Sequence, residues 1–537
     1  MESLYLLIPF SVALVFVIAV IFWRSVRGGQ FDDLEGPGFR ILMDDDLPVQ
    51  RTADGGQKTV QNAAAKPPEL KPDNNPSEDI QMLPPEIFKA YDIRGIVGKT
   101  LTPAIVRQIG HALGSLAREK NQRAIAVGRD GRLSGTELAD ALMEGICAAG
   151  IDAIDIGCVP TPVTYFAAHE LDCHSCVSVT GSHNPPDYNG LKMVIGGETL
   201  ALEAIQHLKT RAESGRLSQG EGQRRQADVL PAYLNRITGD IKLARPLKIV
   251  MDCGNGVAGA VAPELFRRLG CEVTPLFCEV DGHFPNHHPD PSKPENLADV
   301  IRALQTGGAE LGIAFDGDGD RLGVVSKAGE IIYPDRQLML FAADVLARVP
   351  GGEIIYDVKC TRLLDPWIRE HGGKPLMWNT GHALVKAKLK ATGAPLAGEM
   401  SGHVFFRERW YGFDDGLYAG ARLLEILSRS PDANPVLHAL PKAVSTPELN
   451  INMQEGEPVA LVEKLKRDGR FTNERTRITI DGLRVEYADG FGLARASNTT
   501  PVVVLRFEAD DSAALNRIQE DFRQALTSVW PGVKLPF

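Results

Sequence analysis

Residues 177–186 have the sequence Val-Ser-Val-Thr-Gly-Ser-His-Asn-Pro-Pro, in which a β-rich run stops at a glycine and a proline-containing turn. Gly181 allows a tight backbone, and Pro185 and Pro186 cannot continue a strand. We therefore expect the Ser182 side chain to project into the mouth of a pocket. On this stretch alone, Ser182 is either a carrier of a phosphoryl or acyl group or a hydroxyl that caps the turn.

Strands and helices alternate on both sides of this stretch. The hydrophobic pattern predicts strands at 124–130, 151–156 and 176–180, separated by helices at 134–149 and 161–171, and the same order recurs at 247–253 and 353–370. The helix at 134–149 begins with Ser134 and carries Glu137 three residues later, which predicts a capping box. Strands are also expected at 447–453, 476–487 and 501–507, followed by a helix at 512–526. We predict three similar α/β domains with mixed, mainly parallel sheets, followed by a smaller α+β domain.

An acidic run, Phe-Asp-Gly-Asp-Gly-Asp-Arg at 315–321, follows the apolar residues 311–315. In an extended segment Asp316, Asp318 and Asp320 would lie on one side, and the glycines would let the backbone fold round a small ion. Oxygen ligands of this kind suit Mg²⁺ with a phosphate oxygen as partner. A calcium-binding loop is excluded because its sixth and twelfth positions are Arg321 and Lys327 instead of glycine and glutamate. A solvated acidic turn is the alternative.

Two further patterns have competing interpretations. Gly254-Asn-Gly256-Val-Ala-Gly259 follows a predicted strand, as a dinucleotide-binding loop would, and an oxidoreductase using NAD is one hypothesis. No acidic residue closes the next strand, however, and glycines at such a turn also serve close packing. The histidines at 283, 287 and 288 with Asp290 could suggest zinc, but the interleaved prolines fit an ordered loop better.

Several polar loops offer groups that recognise sugars and phosphates. Glu399, Ser401 and His403 lie between glycines and supply an acceptor, a hydroxyl and a proton-transfer group. Residues 495–501, Arg-Ala-Ser-Asn-Thr-Thr-Pro, form a polar loop before a strand and could cradle a phosphate. Lys359 and the Thr-Gly-His run at 380–382 end strands where helices start, and anions are favoured there.

The motifs at 180–186, 316–321, 398–403 and 495–501 occur in the order T-G-S-H-N-P-P, D-G-D-G-D-R, G-E-M-S-G-H and R-A-S-N-T-T-P. In this order they resemble the bacterial phosphomannomutase/phosphoglucomutase enzymes of the α-D-phosphohexomutase superfamily. The third and fourth motifs are less similar to those of phosphoglucosamine mutases, which remain an alternative. The resemblance implies domains at 84–228, 229–331, 332–442 and 443–537 around a central active-site cleft.

The resemblance also implies a reaction and its residues. Hexose 6-phosphate and hexose 1-phosphate, of mannose and glucose, would interconvert through a phosphoserine at Ser182 and a hexose 1,6-bisphosphate that serves as intermediate and activator. One Mg²⁺ per chain would be held by Ser182, Asp316, Asp318 and Asp320. Arg94, Lys192 and His403 are implied to steer protons and charge near Ser182. The implied substrate-binding residues are Tyr91, Arg321, Lys359, Thr380, Gly381, His382, Glu399, Ser401, Arg495, Ser497, Asn498 and Thr499.

The amino-terminal residues indicate a membrane segment. Residues 4–23 carry no charge, and about 20 helical residues span ~30 Å. Arg24 and Arg27 follow directly, which predicts a single-pass inner-membrane protein with its catalytic part in the cytoplasm. Residues 1–46 resemble the small assembly proteins of cbb-type cytochrome oxidases, and 47–83 have the composition of a flexible linker. A membrane assembly factor with a passive mutase scaffold is therefore another alternative.

The overall composition is that of a globular protein, with 44% hydrophobic and 24% charged residues in a chain of 537. The formal net charge of −11 argues against binding of nucleic acid, which needs a basic face. We expect a phosphosugar and the membrane, through residues 4–23, as the binding partners. The catalytic part is expected to be monomeric.

Overall fold

The computed structural model describes residues 82–498 and 500–537. The predicted membrane helix at 4–23, the tail and linker that follow it, and the predicted phosphate ligand Thr499 lie outside these residues. Within the described ranges, no helix combines the length and the apolar character needed to cross a bilayer.

The first sheet has seven strands in the order β1-β5-β4-β2-β3-β7, with β6 paired to β5. Strands β4, β2, β3 and β7 run parallel, whereas β1, β5 and β6 make antiparallel pairs. The strands are β1 Ile93–Ile96, β2 Ala124–Arg129, β3 Asp152–Cys158, β4 Cys176–Val179, β5 Tyr188–Ile195, β6 Glu198–Thr199 and β7 Arg224–Gln226, and the helices are α1 Pro103–Glu119, α2 Gly135–Ala148, α3 Thr161–Glu170 and α4 Glu203–Ser214.

The second and third sheets have four strands each, in the orders β11-β10-β8-β9 and β13-β12-β14-β15, with one antiparallel edge strand, β11 or β15. In the second sheet the elements are β8 Lys248–Asp252, β9 Glu272–Leu276, β10 Leu311–Phe315, β11 Leu322–Ser326, α5 Leu230–Asp240, α6 Ala262–Arg268 and α7 Ala298–Thr306. In the third they are β12 Glu353–Asp357, β13 Lys374–Trp378, β14 Leu396–Gly398, β15 Val404–Phe406, α8 Pro334–Leu346, α9 Leu364–Glu370, α10 His382–Thr392, α11 Gly416–Leu427 and α12 Ala433–His438.

The fourth sheet is antiparallel throughout, in the order β16-β21-β20-β19-β18 with β17 also paired to β21. Its elements are β16 Val444–Ser445, β17 Leu449–Asn452, β18 Thr476–Ile478, β19 Leu483–Glu486, β20 Gly490–Ala496, β21 Val502–Ala509, α13 Glu457–Asp468 and α14 Ser512–Val529. Its core is separate and includes Leu461, Leu505, Phe507 and Phe522.

The first three sheets share one large apolar core. Because side chains alternate between the two faces of a strand, one strand can contribute to this core and to a smaller cluster on its other face. In β2, Ala126 belongs to the shared core while Val127 packs with the helices on the other face. Strands β10 and β12 divide in the same way, with Phe315 and Tyr356 in the shared core. The carboxyl ends of β4, β10, β12, β13 and β14 lead into the loops that carry the predicted site residues, as expected for parallel sheets.

The multi-domain α/β fold with mixed sheets is confirmed, and four local predictions are wrong. The predicted strand 476–487 is two strands, β18 and β19, joined by a turn at Gly482 with φ +81°. Arg495 lies in strand β20 instead of a loop, and helix α13 was not expected. Ser134 precedes α2 without forming a capping bond, because its own backbone is helical, with φ −77° and ψ −9°; its hydroxyl accepts a hydrogen bond from Asn189 Nδ2 at 2.9 Å.

Candidate active site

Ser182 is buried and faces the acidic loop of the second sheet. Its Oγ donates to Asp316 Oδ2 at 3.2 Å and lies 3.1 Å from His183 Nδ1, and the residue is 1% exposed. The backbone has φ +49°, an uncommon conformation for a non-glycine residue. The expectation of a side chain in a pocket mouth is therefore wrong in detail, because the acidic loop covers the hydroxyl.

The loop that carries Ser182 and the acidic loop at 316–321 approach each other so closely that only glycine fits at position 317. A Cβ at this position would lie 2.4 Å from the carbonyl oxygen of Ser182. Gly317 thus serves the contact between two loops that are more than 130 residues apart in sequence, whereas Gly319 shapes the turn with its positive φ.

The three aspartates of the acidic loop converge in a tight turn and not along an extended segment. Asp316 Oδ1 accepts the backbone N–H groups of Asp320 at 3.1 Å and Arg321 at 3.2 Å, and Gly319 has φ +77°. Carboxylate oxygens of Asp316, Asp318 and Asp320 lie within 4.8 Å of one another, and all three residues are fully buried. The acidic triad is present, but a turn creates it instead of strand alternation.

Lys192 on β5 partly neutralises the triad. Its Nζ donates to Asp318 Oδ2 at 2.7 Å and to Asp320 Oδ2 at 2.5 Å. Burial alone would lower the pKa of Lys192, but the charges of Asp318 and Asp320 raise it above its ordinary value. Burial and the charge of Asp320 raise the pKa of Asp316 well above its ordinary value.

The donor set of this loop fits a hard divalent cation. Asp318 Oδ1 is buried and accepts no hydrogen bond from any described residue. Three carboxylates and a neighbouring serine hydroxyl offer oxygen atoms only, as Mg²⁺ prefers. Asp320 with His403 and Asp414 forms a second close group, but Lys386 Nζ donates to Asp414 at 2.9 Å and neutralises it.

The loop after β14 reaches the triad through His403. His403 Nε2 lies 3.3 Å from Asp320 Oδ1, and its Nδ1 lies 3.0 Å from Glu399 Oε2 and 2.9 Å from Ser401 Oγ. Burial opposes protonation, and so does Arg321, whose Nε lies 3.3 Å from His403 Nε2. The charges of Asp320 and Glu399 prevail and raise the pKa of His403 to about 9.

Two aromatic residues and an arginine extend this network. The rings of Tyr91 and His382 meet edge to face with centroids 4.9 Å apart, and the His382 and His403 rings are 5.7 Å apart. Burial and the neighbouring lysines lower the pKa of His382 well below its ordinary value. Arg94 donates to the carbonyl oxygen of Gly181 at 3.0 Å and to Asp92 at 2.5 Å. Gly181 belongs to the loop that carries Ser182, residues 180–188, which we call the serine loop.

The predicted phosphate ligands form a second group between the third and fourth sheets. Asp481 Oδ2 accepts from Arg495 Nε at 3.1 Å and from the Thr380 backbone N–H at 2.9 Å. Lys359 Nζ donates to Glu448 Oε1 at 2.6 Å. Asn498 Nδ2 lies 3.4 Å from the Thr380 carbonyl oxygen. A cavity of about 520 Å³ adjoins this group and is lined by residues that include Glu448, Asn450, Ser497 and Thr500.

The two groups are linked at Gly381, whose backbone N–H donates to Glu399 Oε1 at 2.5 Å. The sequence therefore identified residues that several loops bring close together, while Thr499 lies outside the described residues. It missed the acidic partners Asp414, Glu448 and Asp481, for which no local motif gives a signal. It also missed Asp130 and Arg132, although the run Arg-Asp-Gly-Arg at 129–132 leaves the carboxyl end of a parallel strand.

The glycine motif at 254–259 is a packing device. A Cβ at Gly256 would lie 3.0 Å from Gly317 Cα, and one at Gly259 would lie 2.1 Å from the carbonyl oxygen of Cys278. These contacts account for the glycines by close packing, the alternative to a dinucleotide-binding loop.

The histidine run at 287–288 orders its own loop. His287 Nε2 bonds Asp252 Oδ2 at 3.0 Å, and His288 Nε2 contacts the His183 carbonyl oxygen. Neither of the candidate metal groups among the described residues includes these histidines, and the ordered-loop interpretation accounts for them.

Comparison with known proteins gives consistent matches along the chain. Family models described as phosphoglucomutase/phosphomannomutase match successive parts: alpha/beta/alpha domain I at 85–218, domain II at 231–329, domain III at 333–443 and the C-terminal domain at 448–525. A further model, described as a cbb3-type cytochrome oxidase maturation protein, matches residues 2–45.

Similar whole proteins cover most of the chain. A phosphomannomutase/phosphoglucomutase of Pseudomonas aeruginosa is 57% identical over 456 residues, which are 85% of this chain and 98% of the relative. A phosphoglucomutase of Neisseria gonorrhoeae is 58% identical over 453 residues, 83% of this chain and 98% of the relative. The crystal structure of a phosphoglucomutase/phosphomannomutase family protein from Burkholderia thailandensis is 61% identical with a TM-score of 0.81, and the match covers 85% of this chain and all of that one.

Proposed function

The chain belongs to the phosphoglucomutase/phosphomannomutase family, and from this premise we propose how it interconverts the 6-phosphates and 1-phosphates of mannose and glucose. The contact of Ser182 Oγ with Asp316 at 3.2 Å carries the proposal, since it brings a hydroxyl and the acidic triad together from two sheets. The domain boundaries we propose are 84–228, 229–331, 332–442 and 443–537, and each of the four contributes a loop to the site. The catalytic part acts as a monomer.

Asp316, Asp318 and Asp320, with an oxygen on Ser182, would hold one Mg²⁺, which neutralises charge on a transferring phosphoryl group. The buried Asp318 Oδ1, which has no hydrogen-bond partner among the residues that the structure describes, supports this assignment. Lys192, bound to two of the aspartates, adds a positive charge at the same place. Arg94 adds another beside Gly181.

The reaction begins with Ser182 phosphorylated. The bond between Ser182 Oγ and phosphorus breaks while a bond forms to the free hydroxyl of a hexose phosphate, which gives a hexose 1,6-bisphosphate. The proton that this hydroxyl loses passes to Ser182 Oγ, and the reverse proton movement accompanies the return step. The sugar then turns over in the site, and its other phosphoryl group returns to Ser182. His403, with its raised pKa, holds a proton near the triad at neutral pH, and we assign it a role in proton transfer.

Turning the sugar over requires contacts that serve both orientations. Glu399 and Ser401 would bind ring hydroxyls, and Tyr91 and His382 would line the same face. The phosphate that does not react would be bound by Lys359, Thr380, Gly381, Arg495, Ser497, Asn498 and Thr499. Arg321, whose Nε lies 3.7 Å from Asp316 Oδ2, would support the triad and bind the substrate.

Ser182→Ala tests the assignment directly. Because no other group in this scheme accepts the phosphoryl, turnover of mannose 1-phosphate and glucose 1-phosphate should fall by more than about a thousandfold. Ser115→Ala removes an equally buried hydroxyl from α1 and should leave kcat unchanged. The measurement is a coupled assay with a trace of bisphosphate activator, and substantial turnover by Ser182→Ala would exclude the phosphoserine mechanism.

We also propose that residues 4–23 anchor the enzyme at the cytoplasmic face of the inner membrane. The charge-free run and the match of residues 2–45 to an oxidase maturation protein support this placement. Leu14→Arg combined with Val17→Arg should release the full chain into the soluble fraction, because each arginine costs about 2.5–3.5 kcal/mol at a helix centre. An unchanged chain that fractionates as a soluble protein would contradict the anchor.

The match at 2–45 also favours a second candidate function for that segment alone, in oxidase maturation. Cells that carry Ser182→Ala in place of the unchanged chain separate the two functions. If oxidase maturation depends on the segment, it should remain normal while mutase activity is lost.

A further inference from the structure

One buried arginine contacts the serine loop at more points than any metal ligand does. Arg132 lies just after β2, and its side chain is fully buried. Its Nη2 donates to the carbonyl oxygens of Ser182 at 2.9 Å and Asn184 at 2.6 Å, and its Nη1 donates to those of Pro185 at 2.5 Å and Tyr188 at 2.9 Å.

The fifth donor of the guanidinium, Nε, is bound to Asp130 Oδ2 at 3.2 Å. All five N–H groups of Arg132 are therefore used, four of them on one loop. Asp130 holds the start of the same loop, because its Oδ2 accepts from Thr180 Oγ1 at 2.8 Å and from the Gly181 backbone N–H at 3.1 Å. Thr180 Oγ1 in turn accepts from the Ser182 backbone N–H at 2.8 Å.

The loop needs such support for two physical reasons. The positive φ of Ser182 is a strained backbone conformation for a non-glycine residue. Four carbonyl dipoles also converge on one buried point, where they repel each other unless a cation lies between them. The close packing explains Gly181 as well, because a Cβ there would lie 2.3 Å from Arg132 Nε.

We propose that Arg132 is a positioning residue for phosphoryl transfer, one that fixes the position of Ser182 Oγ relative to the acidic triad. This inference rests on the proposed function, because it assumes that Ser182 carries the phosphoryl group. The Ser182 carbonyl that Arg132 holds is the atom that comes within 2.4 Å of a Cβ at residue 317. Arg132 therefore sets the spacing between the two loops without reaching the sugar.

Arg132→Ala in the full chain should lower kcat by about a hundredfold, the cost of a misplacement of about 1 Å. KM for glucose 1-phosphate should change by less than about threefold, because Arg132 is too deeply buried to touch substrate. Ethylguanidinium has the same heavy atoms as the part of the side chain that the substitution removes, so it fits the space left behind. Its addition should raise the kcat of Arg132→Ala at least about tenfold. Amides at 181–188 should also exchange hydrogen faster in the variant.

Two further variants keep the test decisive. Arg132→Lys retains the charge but has only three donors, so its kcat should lie between those of Arg132→Ala and the unchanged protein, even if Arg132→Ala does not fold. Arg422→Ala removes an equally buried arginine that binds Asp344 and Glu408 far from the serine loop. Its kcat should remain unchanged, and ethylguanidinium should not affect it.

The proposal is overturned if Arg132→Lys keeps full kcat. It is also overturned if the kcat of a folded Arg132→Ala is not restored by ethylguanidinium and hydrogen exchange at 181–188 is unaltered. Ser182→Ala separates this failure from failure of the proposed function. If Ser182→Ala is inactive while the Arg132 variants are normal, the positioning role alone is wrong. If Ser182→Ala is active, the proposed function itself is wrong.

Discussion

At the scale of single residues, the site depends on contacts where one atom more would not fit. Gly317 and Gly181 are both required by neighbours distant in sequence, the Ser182 carbonyl oxygen and the Arg132 guanidinium. Ser182 itself holds a positive φ that its surroundings must enforce. The chemistry at the hydroxyl is therefore set by backbone positions as much as by the carboxylates it faces.

Gly317→Ala should lower kcat by at least about tenfold, because the new Cβ pushes the acidic loop away from Ser182. Overpacking at this site should also destabilise the fold by about 1–3 kcal/mol. The measurements are steady-state kinetics and urea unfolding. Gly239→Ala, in α5 with no atom within 4 Å of its Cβ, is the control and should be neutral or slightly stabilising. Normal kcat in Gly317→Ala would show that the loop contact is not needed.

At the scale of elements, helix α11 begins at a buried polar residue. Asp415 caps α11: its Oδ1 accepts the Tyr418 N–H at 2.8 Å and the Tyr233 hydroxyl at 3.0 Å. Burial raises the pKa of Asp415 to about 7. Ser134 shows the opposite case, because its hydroxyl is bound by Asn189 and does not cap α2. A cap residue in the sequence thus predicts where a helix starts more safely than which atoms bond there.

Asp415 gives stability a defined pH dependence. The folded state keeps this proton up to about pH 7, whereas the unfolded state loses it near the ordinary value of 3.8. Stability from this group is therefore lost as pH rises from 4 to 7, by up to about 4 kcal/mol. Asp415→Asn keeps an acceptor for the Tyr418 N–H but removes the proton.

Relative to the unchanged protein, Asp415→Asn should become progressively more stable between pH 4 and pH 7 and then level off, as measured by the free energy of unfolding in urea. Asp432→Asn is the control and replaces the exposed carboxylate that caps α12. Hydrogen bonds from Asn434 lower the pKa of Asp432, so this substitution should not change how the free energy of unfolding varies with pH in this range. A constant difference between Asp415→Asn and the unchanged protein across the range would mean that Asp415 is ionised throughout.

At the scale of the whole molecule, three sheets share one core, and their loops converge at the carboxyl ends of parallel strands. The fourth sheet has its own core and reaches the site through Asp481, Glu448 and Arg495. Three buried carboxylates within 4.8 Å of one another repel, and Lys192 offsets only part of that repulsion. The free energy of unfolding therefore depends on the net charge of the triad and its cations, where the first two sheets meet.

Mg²⁺ should stabilise the folded chain by about 2.7 kcal/mol at a free concentration 100 times its Kd, because it binds the folded triad and not the unfolded chain. Calorimetry should show that the first unfolding transition on heating occurs several degrees higher in Mg²⁺ than in EDTA. In Asp318→Asn the shift should be lost, because the variant lacks one carboxylate. Equal transition temperatures in EDTA and Mg²⁺ would contradict a metal site at the triad.

Local sequence patterns were enough to predict the alternation of strands and helices, the acidic triad, the serine loop and the family, which the relatives confirm. These features are local, since a strand period, a glycine turn or a short motif is complete within about ten residues. The folded chain was needed to show that Ser182 is buried against Asp316, that Arg132 holds its loop, and that Asp481 joins Thr380 to Arg495. The contact of Ser182 with Asp316 joins residues 134 positions apart, that of Arg132 with Ser182 joins residues 50 positions apart, and that of Asp481 with Arg495 joins residues 14 positions apart. Strand pairing within a sheet and packing between sheets determine them, and no local pattern encodes either.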